Sequence, residues 1–150
     1  MNDRDFMALA VEEAKKAFAV GETPVGAVVA YGDRVVSAAF NTRETEKNAL
    51  RHAEIKAIDE ACKALGGWRL WMCDIYVTLE PCAMCAGAIV QSRIKRVVYG
   101  APDTKSGAFG GKFDINAFGL NHVPEVVGGV MEDECSRLMS GFFLKLRQKG

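Results

Sequence analysis

Two short segments, His52-Ala53-Glu54 and Pro81-Cys82-Ala83-Met84-Cys85, hold the residues whose types and spacing can do chemistry. Cysteines three positions apart share one face of a helix. In a first turn both sulfurs reach one metal, and the unpaired N–H groups there favour their thiolate forms. His52 offers a third donor. On an ideal helix interior Glu54 would lie about 200° round from His52, so the two converge on one site only if the segment sits at a helix mouth. One His and two Cys leave the fourth position of a tetrahedral zinc to water, which is the composition of a catalytic site. Zinc held in that way brings the pKa of water toward neutrality. Glu54, which is not a ligand, is then placed to take the proton and return it to a substrate, as general base and then acid. The competing readings are a solvated first-turn carboxylate for Glu54 and a coincidental buried C-x-x-C for the cysteine pair.

A closed structural site would need a fourth residue. His122, Cys62, Cys73 and Cys135 are the candidates, but the three cysteines fall on apolar stripes of their own elements and read as small buried hydrophobes. An odd count of five cysteines, two of them in a C-x-x-C, fits metal binding in a reducing compartment better than a disulfide framework.

The elements that must position these residues follow from apolar periodicity. Phe6, Ala10, Ala14, Ala17 and Phe18 share one face of a helix over residues 3–20, with Asn2 or Asp3 as cap and Gly21 as stop. Apolar runs at 25–30 and 35–40 read as a hairpin about a turn at 31–34. From His52 a helical spacing through Ile55, Ile58, Cys62 and Leu65 ends at Gly66-Gly67. Residues 73–79 alternate as a strand, Pro81 breaks it, and 82–91 suit a buried helix. Residues 96–100 form a further strand, so strand, helix and strand read as a parallel crossover unit. Residues 100–112, with four glycines, read as a mobile surface loop, and 124–127 as a short edge strand. Cys135, Leu138, Met139, Phe142, Phe143 and Leu146 make the stripe of a closing helix. The sum is a single α/β domain, 1–150, with a mostly parallel sheet between helices.

Composition bounds the function. The chain is 49% hydrophobic and 25% charged, as ordinary globular proteins are, and it has no apolar run long enough for a membrane span. The opening MNDRDFMALA is acidic and amphipathic, unlike a secretory signal, so a cytoplasmic protein is expected. Net charge is zero, which restricts phosphate contacts to local patches. Arg93, Lys95, Arg96, Lys105, Lys112, Lys145, Arg147 and Lys149 are the side chains that could supply them, and the last three equally complement a helix dipole. Aromatic platforms for bases are not identifiable from the sequence: Phe109 and Phe113 lie in the loop, and Phe142 and Phe143 fall on or beside the stripe of the closing helix.

The order H-x-E and then P-C-x-x-C, each at a helix start, is a zinc-deaminase signature. Around it stand Pro24-Val25-Gly26-Ala27, Asn41, Arg43-Glu44-Thr45-Glu46, Tyr76-Val77-Thr78-Leu79-Glu80, Ser92-Arg93-Ile94, Asp103, Lys105-Ser106-Gly107 and Asn121-His122. In these segments, nearly end to end, the chain resembles the bacterial tRNA-specific adenosine deaminases of the cytidine-deaminase-like superfamily. The resemblance implies a three-layer α/β/α fold around a mixed five-stranded sheet, one zinc per subunit held by His52, Cys82 and Cys85, and a homodimer. It implies hydrolytic conversion of the wobble adenosine of an arginine tRNA anticodon loop to inosine, with Glu54 moving the proton. By motif, Asn41 would contact the flipped purine nucleotide, the backbone at Ala53 would orient the base edge and Val25 would line the pocket. Asp103 and the loop through Gly107 would lie against the RNA. From the residues alone, Asn41 and Asp103 are equally turn formers.

Gln91, Arg51 and Pro102 depart from the pattern of many members without touching the inferred ligands. A free-base or nucleoside deaminase acting on guanine or cytosine would share the zinc site. A noncatalytic zinc partner would have no need of Glu54, and a zinc-stabilised RNA-binding module no need of an open coordination position.

Overall fold

Asn2 opens the first helix through a reciprocal capping box. Its side chain accepts from Asp5 N–H, and the Asp5 carboxylate accepts from Asn2 N–H, both at 2.9 Å. The computed structural model describes residues 1–149. Gly150 and the side chain of Lys149, and with it the expected phosphate contact of Lys149, lie outside the described residues. The helix so started, α1, runs Asp3–Ala19 and is followed by strands β1 (Gly26–Tyr31) and β2 (Arg34–Phe40) and by helix α2 (Ala53–Leu65). Strand β3 (Cys73–Leu79), helix α3 (Ala83–Gln91) and strand β4 (Arg96–Ala101) make the crossover unit. A short 3-10 turn at Ile115–Phe118, strand β5 (Glu125–Val127) and helix α4 (Glu132–Lys149) complete the order.

The sheet runs β2-β1-β3-β4-β5. Its β1 is antiparallel to both β2 and β3, whereas β3, β4 and β5 are mutually parallel. It is thus evenly mixed, not mostly parallel as the chain's alternation suggests, because β1 enters beside β3 from a hairpin and needs no crossover. Period-two alternation divides the strand residues between two helical layers. Ala27, Val29, Ile75, Val77 and Val97 pack under α2 and α3, while Val28, Ala30, Tyr76 and Val98 pack under α1 and the start of α4.

Three helix faces differ from their apolar spacing. In α2 the buried positions are Ala53, Glu54, Ala57, Ile58 and Ala61, and Leu65 is exposed. Small residues let this helix lie close on the sheet, so the stripe of larger side chains is turned to its flank. In α4 the stripe is buried at Cys135 and Phe142 but Leu146 is exposed, since the helix runs past the sheet's edge. In α3, Ile89 and Val90 are taken up by the core and only the side bearing Met84, Gly87, Ala88 and Gln91 is left partly or fully open.

The pairing registers fix which ends coincide. Gly26 pairs with Phe40, Ala27 with Val77, and Leu79 with Ala101. One sheet edge therefore gathers the start of β1, the end of β2 and the ends of β3 and β4. The opposite edge carries Tyr31, Cys73 and Arg96. Arg96 there is held by Asp3 (Nη1 to Oδ2 2.9 Å) and Asp74 (Nη2 to Oδ2 3.3 Å), with Tyr76 donating to Asp3 at 2.8 Å. This pairing holds the Asp3 carboxyl below its ordinary range, the Arg96 hydrogen bond outweighing burial.

The seat of α1 on β1 depends on the absence of a side chain at Gly26, where a Cβ would overlap the Ala10 carbonyl, Ala14 N and Glu13 Cβ. Gly26→Ala is expected to lower stability by about 2–3 kcal/mol and the Tm by roughly 5–10 °C in thermal unfolding. An unchanged Tm would mean that α1 can lift from the sheet without cost.

Candidate metal centre and active site

Two helices begin at the gathered edge, and each begins with a metal-binding side chain. His52 is the residue before α2 (φ −70°, ψ 152°) and Cys82 the residue before α3 (φ −75°, ψ 178°), both in extended backbone with no side-chain capping bond. The helix mouth required for His52 and Glu54 to converge is thus present: His52 is outside the helical twist and Glu54 inside the first turn. His52 Nδ1 lies 3.7 Å from Cys82 Sγ and 3.5 Å from Cys85 Sγ. Bond lengths near 2.05 Å to nitrogen and 2.3 Å to sulfur at tetrahedral angles give an N–S edge of about 3.5–3.6 Å. The three donors therefore fit one tetrahedral cation.

Among the described residues no fourth His, Cys, Asp or Glu joins this triangle, whose donor atoms all lie within 4.8 Å of one another. His122 is engaged elsewhere, its Nε2 2.6 Å from the Ile94 carbonyl. Cys73 and Cys135 are buried in the core and Cys62 packs against it. All five cysteines are free.

The charges of the donor set call for a cation. Hydrogen bonds from Cys85 and then His52 pull the Cys82 thiol down to about 4. The same bond to Cys82, with burial, pushes Cys85 well above the ordinary thiol range. One thiolate forms readily and the second only when positive charge is added. His52 is raised, chiefly by its bond to Cys82. Glu54 is 4% exposed, and burial pushes its carboxyl up to about 7, with the Cys82 charge adding to the shift and its backbone hydrogen bond and His52 opposing it.

A cavity of about 480 Å³ opens onto these groups. Of the residues given a metal, proton-transfer or base-binding role from the sequence, Val25, Asn41, His52, Ala53, Glu54, Cys82 and Asp103 all line it, and Cys85 does not. Asn41, 7% exposed, is both a cavity residue and a turn former; Nδ2 donates to the Thr23 carbonyl at 3.2 Å and Oδ1 accepts from Arg43 N at 3.1 Å. Asp103 closes its own turn, Oδ1 accepting from Lys105 N and Ser106 N at 3.0 and 3.1 Å. Ala53, at the first position of α2, is buried and has a backbone N–H with no helical partner.

Other expectations are corrected. Arg93, Lys95 and Arg96 sit at or before the start of β4, a full strand of roughly 17–20 Å from the cavity edge, and Arg96 is already paired. The sequence leaves the aromatic platforms open; Phe109 is buried and Phe113 stacks on Phe118, so neither is a free one. The glycine-rich loop is tied down by backbone bonds rather than mobile, with Ala108 and Phe109 in the core. The lining also includes Arg43, Glu80 and Met139, to which sequence reasoning gave no role at the site. Glu80 carried a readable signal, a carboxylate between an apolar strand and a proline, ahead of a loop rich in backbone donors.

Residues 1–147 match the MafB19-like deaminase family. A tRNA-specific adenosine deaminase of Bacillus subtilis is 50% identical over 148 residues, covering 98% of this chain and 92% of its own. A solved tRNA:A34 deaminase, an A-to-I editing enzyme of the wobble position, superposes with a TM-score of 0.83 at 42% identity, over 89% of this chain and 98% of the other. A guanine deaminase from Bacillus subtilis gives a TM-score of 0.67 at 38% identity over 69% of this chain and 67% of its own. With likeness running from α1 through the closing helix, the chain belongs to the MafB19-like deaminase family, among the tRNA-specific adenosine deaminases.

Proposed function

We propose that this chain is a single catalytic domain that hydrolytically deaminates the wobble adenosine of a tRNA anticodon loop, an arginine tRNA, to inosine. The observation that carries the reading is the His52–Cys82–Cys85 triangle at the floor of a cavity beside the buried carboxyl of Glu54. The cation assigned to the triangle is zinc, one per subunit, which when bound supplies the Lewis acidity that lets water ionise near neutral pH.

Glu54 does the proton work. A carboxyl whose range is lifted toward 7 by burial can both accept a proton and give it up at physiological pH. It takes one proton of the attacking water as the oxygen bonds to the reacting carbon, delivers it to the adjacent ring nitrogen, and then carries the proton of the new hydroxyl to the amine, which leaves as ammonia as the carbonyl forms. Val25 and Asn41 shape the base pocket, the unpartnered N–H at Ala53 meets the base edge, and Asp103 with its turn lies against the neighbouring nucleotides. A second cavity of about 520 Å³, lined by Lys105, Phe143, Leu146 and Arg147, shares Lys105 and Phe143 with the first and gives flanking nucleotides an aromatic face and two cations. No helix among the described residues is long and apolar enough to cross a membrane. A cytoplasmic protein fits tRNA as substrate, and a homodimer is proposed with it.

Glu54→Ala is expected to keep about one zinc per chain while deamination falls on the order of 10²–10⁴-fold or more. Cys82→Ala and Cys85→Ala lose the metal itself. Elemental analysis with an inosine assay separates the two classes, and loss of zinc from Glu54→Ala would make Glu54 a ligand and sink its assigned role.

Time courses on an anticodon stem-loop with wobble adenosine, on the same loop with guanosine there, and on free guanine and cytosine decide the substrate. The adenosine loop is expected to be deaminated at least about a hundredfold faster than any free base, since binding energy from flanking nucleotides is used at the reacting base. Ammonia from free guanine with the loop unedited would make this a base deaminase, as the likeness to guanine deaminase allows.

For assembly, sedimentation is expected to give a dimer at micromolar concentration. Its expected seam is the open side of α3, with Met84, Gly87 and Ala88, since Ile89 and Val90 are buried in the core. A monomer at all micromolar concentrations would remove the homodimer.

A further inference from the structure

At the end of β3, Glu80 buries a carboxylate with no cation beside it. The residue is 2% exposed and takes part in none of the ion pairs formed among the described residues. What meets it instead is backbone. Oε1 accepts from Asp103 N, and Oε2 from Phe109 N and Gly111 N, each at 2.9 Å. All three donors belong to one loop. Two further bonds stitch that loop to the same short segment, Glu80 N to the Ala101 carbonyl at 2.8 Å and Ala108 N to the Pro81 carbonyl at 2.9 Å.

The loop wraps its anchor closely. A Cβ at Gly107 or Gly111 would overlap both the Glu80 carboxylate and the Asp103 carbonyl. Residues 102–106 of the same loop form one wall of the cavity. Glu80 stands two positions before Cys82, so a single carboxylate ties that wall to the segment bearing a metal ligand. Because the charge is buried and only this loop offsets it, the wall cannot swing away without stranding an unpaired carboxylate.

We propose that Glu80 is a positioning residue: it fixes the wall at residues 102–106 in its binding geometry before substrate arrives, and so sets affinity for the nucleotides next to the reacting base. This rests on the deaminase reading of the site. Glu80 does not act on the reacting atoms. A wall set in advance saves the ordering cost that a free loop would charge to binding.

The test uses the full-length, zinc-loaded chain and the variant Glu80→Gln, which keeps one carbonyl oxygen and places an NH2 group where an acceptor stood. Amide hydrogen exchange at Asp103, Phe109 and Gly111 is expected to quicken by at least about tenfold, with zinc still near one per chain. On the anticodon stem-loop KM should rise about tenfold while kcat stays within about threefold. A purely structural role would instead lower kcat through a smaller folded fraction and leave KM unchanged. Should Glu80→Gln fail to fold, Gly111→Ala keeps the carboxylate and pushes the loop off it from the other side, with the same rise in KM and in exchange expected. Unchanged exchange at Phe109 and Gly111, or loss of kcat at constant KM, overturns the proposal. Exchange needs no substrate, so a wild-type chain that left the stem-loop unedited would defeat the deaminase reading separately.

Discussion

The site depends on holding an imidazole nitrogen 3.5–3.7 Å from two sulfurs that cannot both ionise without added positive charge. The chain meets this by giving the triangle two helix starts. His52 and Cys82 occupy positions where Ser, Thr, Asp or Asn would bond a first-turn N–H, and neither makes such a bond. Each substitution of a ligand for a cap forgoes about 1 kcal/mol of helix stability. A cation held there would offset that loss, and metal affinity and the order of both helix starts would then be one equilibrium. The sheet then follows: β3 must lead straight into α3, and α2 must lie close enough on β1 and β2 for its first turn to reach the same edge, which its alanine face permits.

Three buried carboxylates surround the cavity, and their partners separate their roles. Glu22, 1% exposed, accepts from Glu44 N at 3.1 Å and Thr45 N at 2.5 Å and stays below the ordinary carboxyl range, since those bonds outweigh its burial. It holds the turn carrying Arg43. Glu80 holds the opposite wall through its three N–H donors. Glu54 has no such set of donors, and burial lifts it toward 7. Backbone donors that occupy a carboxylate's oxygens suit it to anchoring, and their scarcity leaves those oxygens open to other partners. On the proposed reading, the same side chain thus serves as clamp or shuttle according to how many N–H groups surround it.

How much of this was legible in the sequence follows the range of the interactions. The pairing of Cys82 with Cys85, one turn apart, and of His52 with Glu54, two residues apart, was legible because covalent geometry controls those spacings, whereas the meeting of the two segments, His52 and Cys82 being 30 residues apart, came from the order of the motifs. Strands β1 to β4 were legible from alternation that both faces of the sheet reward. Arg96 was read as free for phosphate because its partner Asp3 lies 93 residues away, a distance no spacing rule spans. The face of α2 was misread because apolar spacing weighs side-chain size, whereas close packing on a sheet selects alanine. The loop at 100–112 looked mobile because glycine signals freedom in isolation. Here Gly107 and Gly111 mark positions where the backbone crowds a carboxylate.

A neutral chain that handles a polyanion must place its charge locally. Arg96 is cancelled by Asp3 and Asp74 at the far edge, and among the described residues the cations lining the cavity are Arg43 and Lys105, with Arg147 beyond Phe143. Charges more than about 8 Å away are largely screened at physiological salt, so an approaching anticodon loop meets these few cations rather than the net charge of zero. Phosphate attraction on that scale is weak, and it carries no information about the base. On the proposed reading, discrimination therefore has to come from shape at the cavity wall, and shape discriminates only if the wall resists being moved by the wrong ligand. A loop secured by a buried charge resists in that way, because any ligand that displaced it would also have to strip the carboxylate of its donors.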